Sequence, residues 1–173
     1  WAEPRYIDLT HPFDESTVYW PNGRHFQLEK VHKGKTQAGF WYEAYNFSAA
    51  EHGGTHIDAP SHFAEEQWRV DQIPLNRLIA PGVLLDVSRK AEGQPDYLIS
   101  EQDFLAWEKN HGKIPEGAIV LVRTGWEQFW PEKGKYLGSE QSGDTANLHF
   151  PGSGSDAALF LSQKRKVAAV GLD

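Results

Sequence analysis

Hydrophobic positions along this chain come in short runs separated by Gly, Pro and charged residues. Val83-Leu-Leu-Asp-Val-Ser88 and Ala118-Ile-Val-Leu-Val-Arg123 are apolar runs bounded by Pro or Gly, and they predict buried strands. Phe40 to Ser48 is aromatic on both sides of an extended chain and predicts a sheet or hairpin strand. Tyr6 to Thr10 reads as a short strand ended by His11-Pro12. Helical spacing appears twice. Ser100 to His111 has Phe104, Leu105 and Trp107 as its apolar stripe. Ser100 is its N-cap, with Asp103 three positions on in an arrangement close to a capping box, and Gly112 is placed to end it in the left-handed conformation. A second helix is expected from Ser155 to Lys166, with Asp156 at its positive end and Lys164, Arg165 and Lys166 at its negative end. A strand over Val167–Leu172 follows at once. The stretch from Glu132 to Ser155 is polar and Gly-rich and reads as one long loop of the kind that often carries function. Strand, helix and strand alternate in the second half, so the class is mixed α/β.

Composition narrows the partners. The chain has 173 residues and a formal net charge of −7. That length suits a single domain over residues 1–173. With no basic surplus to neutralise phosphates, nucleic acid is not the expected partner. No run approaches the roughly 18 apolar residues of a membrane span. Cysteine is absent, which removes disulfides, thiolate metal sites and Cys nucleophiles, and leaves the compartment, cytoplasmic or secreted, open. Methionine is absent too, and the chain opens at Trp1 without a charged-then-apolar leader and stops in an apolar strand. These ends are expected of a portion of a longer polypeptide.

The chemistry concentrates in Glu51-His-Gly-Gly-Thr-His-Ile-Asp-Ala-Pro-Ser-His-Phe63, where three of the eight histidines fall within eleven residues. Gly53-Gly54 makes a helix unfavourable, each Gly costing about 1 kcal/mol there, so two histidines one helical turn apart is not the geometry. In an extended chain residues two apart face one way. His56 and Asp58 then point into one space, and His52 joins them if the two glycines bend the chain. Two imidazoles and a carboxylate suit a catalytic divalent ion with open positions. Zinc fits the donors, and manganese or Fe(II) also accept them. Water in an open position can have its pKa lowered to about 7, which supplies hydroxide at neutral pH. His62 is a further polar side chain of the same parity and is better placed as base or proton shuttle than as ligand.

His52-Gly-Gly-Thr-His-Ile-Asp-Ala-Pro-Ser-His-Phe63 resembles the core motif of the metal-dependent cyclase family, which includes bacterial kynurenine formamidase and isatin hydrolase. Asp8-Leu-Thr-His-Pro12 with Tyr19-Trp-Pro21, Leu121-Val-Arg-Thr-Gly-Trp126, His149-Phe-Pro-Gly152, Ala157-Ala158 and Val170-Gly-Leu-Asp173 resemble its other segments. The resemblance implies a swivelling β/β/α fold, a sheet-rich core with flanking helices. It implies metal ligation by His52, His56 and Asp58, and His62 as catalytic base. It also implies hydrolysis of an amide C–N bond in an aryl formamide or cyclic amide, and a homodimer or larger assembly. One zinc or manganese ion is expected. A second is left open, because the family's later segment with a His and a Glu does not occur in this chain.

The remaining candidates are less specific. Trp20, Trp41, Phe63, Trp68 and Trp126 could form a flat pocket for an aryl substrate, although core packing is the commoner fate of aromatics. His149 and His11 could reach the site. Arg123 suits a substrate carboxylate less well than a structural ion pair. His25, His32 and His111 read as solvated. Gly152-Ser-Gly154-Ser reads as a turn and N-cap before an anion site. A lactone or cyclic-imide hydrolase on the same centre, a metal- or ligand-binding relative without turnover, and a β-rich module with a structural His cluster are the competing readings. No Gly-x-Ser-x-Gly elbow or phosphate loop is present.

Overall fold

The computed structural model describes residues 7–173. The chain divides into two compact units, Trp1–Asp58 with Gln141–Thr145, and Ala59–Glu140 with Ala146–Asp173.

The first unit is built on a hairpin of β1 (Gln27–Lys35) and β2 (Trp41–Ser48), paired antiparallel with a register shift between Lys30 and His32. Phe40–Ser48 therefore forms the expected strand. Its partner was not expected, because the polar run Gln-Leu-Glu-Lys-Val-His-Lys-Gly-Lys lacks aromatic and β-branched density. The turn closes through Gly39 N–H to the Thr36 carbonyl and Thr36 N–H to the Phe40 carbonyl. Leu28, Val31, Trp41 and Phe47 remain exposed on the hairpin. Thr17, Val18, Tyr19, Pro21 and Gly53 are buried in this unit. The strand expected at 6–10 does not form where it is described: Tyr6 lies outside the described residues, and 7–10 are irregular. Here Asp8 Oδ1 accepts the Thr10 N–H at 2.9 Å, a local bond that competes with a sheet ladder.

The second unit holds α1 (Leu75–Leu78), β3 (Gly82–Asp86), α2 (Ser88–Ala91), β4 (Leu98–Ile99), α3 (Glu101–His111), β5 (Ile119–Arg123), α4 (Lys133–Leu137), β6 (Gly152–Ser153), α5 (Ser155–Leu159) and β7 (Ala169–Leu172). Strands β3, β5 and β7 form a parallel sheet with β5 central, and β4 pairs in parallel with β6. Val83, Leu85, Val120 and Val122 pack against Phe104, Ala157, Phe160 and Leu161. The expected buried strands are thus buried on one face only: Leu84 is 57% and Leu121 37% exposed on the other. The stretch 132–155 is not one loop, since α4 and β6 interrupt it.

Helix α3 begins as expected after Ser100. The Ser100 N–H and hydroxyl both donate to Asp103 Oδ2, at 2.8 and 2.9 Å. Gly112 ends the helix at φ +85°, ψ 173°, a positive-φ conformation open to glycine but not the left-handed helical one. The second helix is shorter than expected. Its α-ladder stops at Leu159, a π-turn spans Phe160–Arg165, and Lys166 caps it in the left-handed region. Ser162 Oγ donates to the Ala158 carbonyl at 2.7 Å and competes for the acceptor. Asp156 reaches α3 rather than serving only its own helix, accepting the Glu101 N–H at 2.8 Å. Arg165 forms a two-pronged pair with Glu108, Nε and Nη2 each 2.6 Å from a carboxylate oxygen, which ties the π-turn to α3.

Asp103 is the buried polar hub of this unit. Burial works to raise its carboxyl, but the Lys90 ammonium, the Ser100 donors and the Tyr97 hydroxyl outweigh it and hold the group below the usual carboxylate range. Tyr97 is pushed up to about 12, by burial first and then by Asp103. Because the folded-state value of Asp103 is depressed, its stabilisation is present above the unfolded value of about 3.9 and is lost as the pH falls through the folded one. Asp103→Asn is expected to lower unfolding free energy by about 1–3 kcal/mol at pH 7, a figure kept small because Lys90 is largely solvated. It should also flatten the acid limb of stability below about pH 4. Urea melts across pH 2.5–7 measure both, and an unchanged acid limb would remove Asp103 from that role.

Candidate metal centre

As expected, the chain bends at the glycine pair. After β2 the chain runs through 49–58 without regular structure, and Gly54 takes φ +61°. Tyr19 and Gly53 form an isolated antiparallel bridge, and the Gly54 N–H donates to the Val18 carbonyl at 3.2 Å. Thr55 Oγ1 accepts the His11 N–H at 2.9 Å, so His11 holds the loop by its backbone. This places His52, His56 and Asp58 together.

Asp58 Oδ1 sits 2.6 Å from His52 Nδ1 and 3.2 Å from His56 Nε2. One ligand atom from each residue lies within 4.8 Å of the others. The two rings meet edge to face at 5.6 Å. His52 is half-buried and the other two are exposed, so the cluster is open to solvent. His56 Nδ1 lies 2.9 Å from the Gly54 carbonyl, which can only accept. Nδ1 therefore donates to it, and Nε2 is the ring atom left facing Asp58. A backbone carbonyl on one ring nitrogen orients metal-binding histidines in this way. The donor set fits a divalent ion, and two nitrogens with one oxygen leave positions for water and substrate.

The other expected site residues each have surroundings of their own. His62 falls in a 3₁₀ turn over Pro60–His62, with its N–H on the Ala59 carbonyl and its ring 4.2 Å from that of Phe63. The parity count that aligned it with positions 52–58 does not apply, because Pro60 starts a turn where an extended chain was assumed. Phe63 is 91% exposed, and Trp20, Trp41 and Trp68 are exposed as well. Trp126 is buried and spends its indole N–H on the Tyr136 carbonyl at 2.9 Å. His149 Nδ1 pairs with Asp96 Oδ1 at 2.8 Å, a partner that nothing in the sequence pattern indicated. Arg123 bridges Asp86 at 3.3 Å and Glu127 at 3.1 Å, the structural ion pair. His32 stacks on Tyr42, His111 stacks on Trp107, and His25 meets the edge of Tyr19; His25 and His111 are exposed and His32 is half-buried.

A further carboxylate, Asp173, closes the end of the parallel sheet. It accepts from the Thr124 N–H and hydroxyl at 2.7 Å each and from the Gly125 N–H at 2.8 Å. Glu127 is raised, first by its hydrogen bond to Asp173 and then by burial.

A mixed α/β chain with an open His-His-Asp cluster on a Gly-Gly bend is the class that these observations define. Residues 7–173 match the family model described as "Putative cyclase", and the chain belongs to the Cyclase family. The resemblance carried by residues 52–63 is thereby established. The chain is 31% identical over 146 residues to isatin hydrolase from Roseibium aggregatum, covering 82% of this chain and 53% of that protein. It is 28% identical over 140 residues to kynurenine formamidase from Bacillus thuringiensis, covering 75% and 64%. The structure is similar to isatin hydrolase A from Ralstonia solanacearum, with a TM-score of 0.81 and 30% identity over 96% of this chain and 65% of the other. In all three comparisons the chain spans less than two thirds of its relative's length.

Proposed function

We propose that this chain is the metal-binding part of a hydrolase that cleaves an amide C–N bond in a small aryl formamide or cyclic amide. The observation that carries the reading is the convergence of His52, His56 and Asp58, one carboxylate oxygen lying against both imidazoles. Relatives named isatin hydrolase and kynurenine formamidase support the substrate class. His52, His56 and Asp58 would hold one zinc or manganese ion. Such an ion supplies Lewis acidity toward the scissile carbonyl and acidifies water at an open position. The residues supply the rest: the Gly54 carbonyl fixes the tautomer of His56, Asp58 balances charge, and His62 takes a proton and returns it to the leaving nitrogen. Trp20, Phe63, Trp126 and His149 are proposed to border the substrate. The apolar residues exposed on the β1–β2 hairpin support a homodimer or larger assembly. No helix among the described residues is long and apolar enough to cross a membrane.

The test is metal content by plasma mass spectrometry on protein purified without added metal. About one zinc or manganese per chain is expected in the wild type, and none in His56→Ala. The loaded protein is then assayed with N-formylkynurenine and isatin. Equal metal content in both proteins would overturn the centre. Bound metal without turnover of either compound would overturn the substrate class and favour a binding-only relative.

A further inference from the structure

The geometry points to Tyr19 as the positioning residue of the metal centre, its ring serving as the template on which the ligand loop is bent. This inference rests on the centre proposed above. A Cβ added to Gly53 would lie 2.1 Å from Tyr19 Cδ1, 2.4 Å from Cε1 and 2.7 Å from Cγ. The aromatic ring thus occupies the volume that any other residue at 53 would need. The contact sits between ligands, with His52 on one side of Gly53 and His56 three residues beyond. Backbone pairing reinforces it through the Tyr19–Gly53 bridge and the Gly54 N–H on the Val18 carbonyl. Gly54 then turns at positive φ, where a Cβ would come within 3.0 Å of Phe13 and Thr17. That turn directs the Gly54 carbonyl to His56 Nδ1.

The template is itself buried. Tyr19 is 1% exposed, and Thr17 and Val18 beside it are buried. Thr17 is tied twice to Asp14, its Oγ1 accepting the Asp14 N–H at 2.9 Å and its N–H donating to the Asp14 carbonyl at 3.1 Å. The Tyr19 hydroxyl makes no hydrogen bond among the described residues. The ring, not the hydroxyl, therefore does the positioning. The glycine pair of the motif has a physical cause: Gly53 admits the ring, and Gly54 makes the turn.

The experiment compares metal affinity across variants of the 173-residue chain, by chelator competition with Zn²⁺ and by the visible spectrum of the Co²⁺-substituted protein. Thermal melting is followed alongside. Tyr19→Leu and Gly53→Ala disturb the contact from opposite sides. Each is expected to weaken the metal Kd at least tenfold and to alter the Co²⁺ bands. Tyr19→Phe keeps the ring and should restore wild-type affinity and spectrum. Phe104→Leu, in the core of the second unit, serves as a control that lowers Tm without moving the Kd. Wild-type metal binding with an unchanged Kd in Tyr19→Leu or Gly53→Ala would overturn the positioning role alone. Loss of affinity in Tyr19→Phe would overturn the assignment to the ring, and it can be read even if the leucine variant does not accumulate. Absence of metal binding by the wild type would overturn the centre and this inference with it.

Discussion

His62→Ala is expected to lower turnover of the amide substrate by about 10²–10⁴-fold, the usual worth of general acid–base catalysis, while metal content per chain stays at the wild-type level. The two halves of that expectation have separate grounds. Metal content should hold because the convergent ligand set is His52, His56 and Asp58, which does not include His62. Turnover should fall because amide cleavage must deliver a proton to a poor leaving nitrogen, and the motif offers one more imidazole four positions after Asp58. The surrounding backbone supports a fixed role for that ring. His62 sits in a hydrogen-bonded turn, the Ser61 N–H donates to the Trp68 carbonyl at 3.0 Å, and the Ala64 N–H donates to the Pro60 carbonyl at 3.1 Å. Steady-state kinetics with metal analysis on the same preparation decides it. Full activity in the alanine variant would take His62 out of the proton transfer. Loss of metal would make it a ligand instead.

Asp58→Asn should weaken metal binding by more than about 100-fold, since even partners that only orient a ligand are worth 10–100-fold in affinity. The substitution preserves size and removes charge. Asp58 touches both imidazoles through one oxygen, so its loss strikes the whole cluster and not one edge of it. It also removes the only formal negative charge in the ligand set, leaving two neutral rings to hold a dication. Isothermal titration with Zn²⁺ and Mn²⁺ measures the change. A shift of less than tenfold would mean that the carboxylate only supports the histidines by hydrogen bonding.

Much of the second unit could be read along the chain. The apolar runs at 83–88 and 118–123 became β3 and β5, and the run at 167–172 became β7, because short β-branched stretches between breakers have few other outcomes. Ser100 and Asp103 marked the start of α3 because an N-cap is a local interaction. The errors lie where local pattern was overruled. The second helix loses its α-ladder at Leu159, and Arg165 engages Glu108, 57 residues away. Strand β1 gave no pattern because its partner, not its composition, makes it a strand.

The sequence by itself determined the donors of the candidate centre: two imidazoles and a carboxylate within seven residues, no thiolate to compete, and a glycine pair that disfavours a helix. It determined the family through the same residues. Only the tertiary structure decided how those side chains meet. His56 and Asp58 are expected to face one way by the alternation of an extended chain, with His52 joining them if the two glycines bend it. Gly54 makes that bend at positive φ, and Tyr19, 34 positions upstream of Gly53, fills the space beside it. A contact of that separation leaves no periodicity to detect. For the same reason neither Asp96 as the partner of His149 nor the Tyr136 carbonyl that fixes Trp126 was visible along the chain. Local propensities and donor types are properties of neighbouring residues, whereas which ring touches which backbone is settled when distant segments pack.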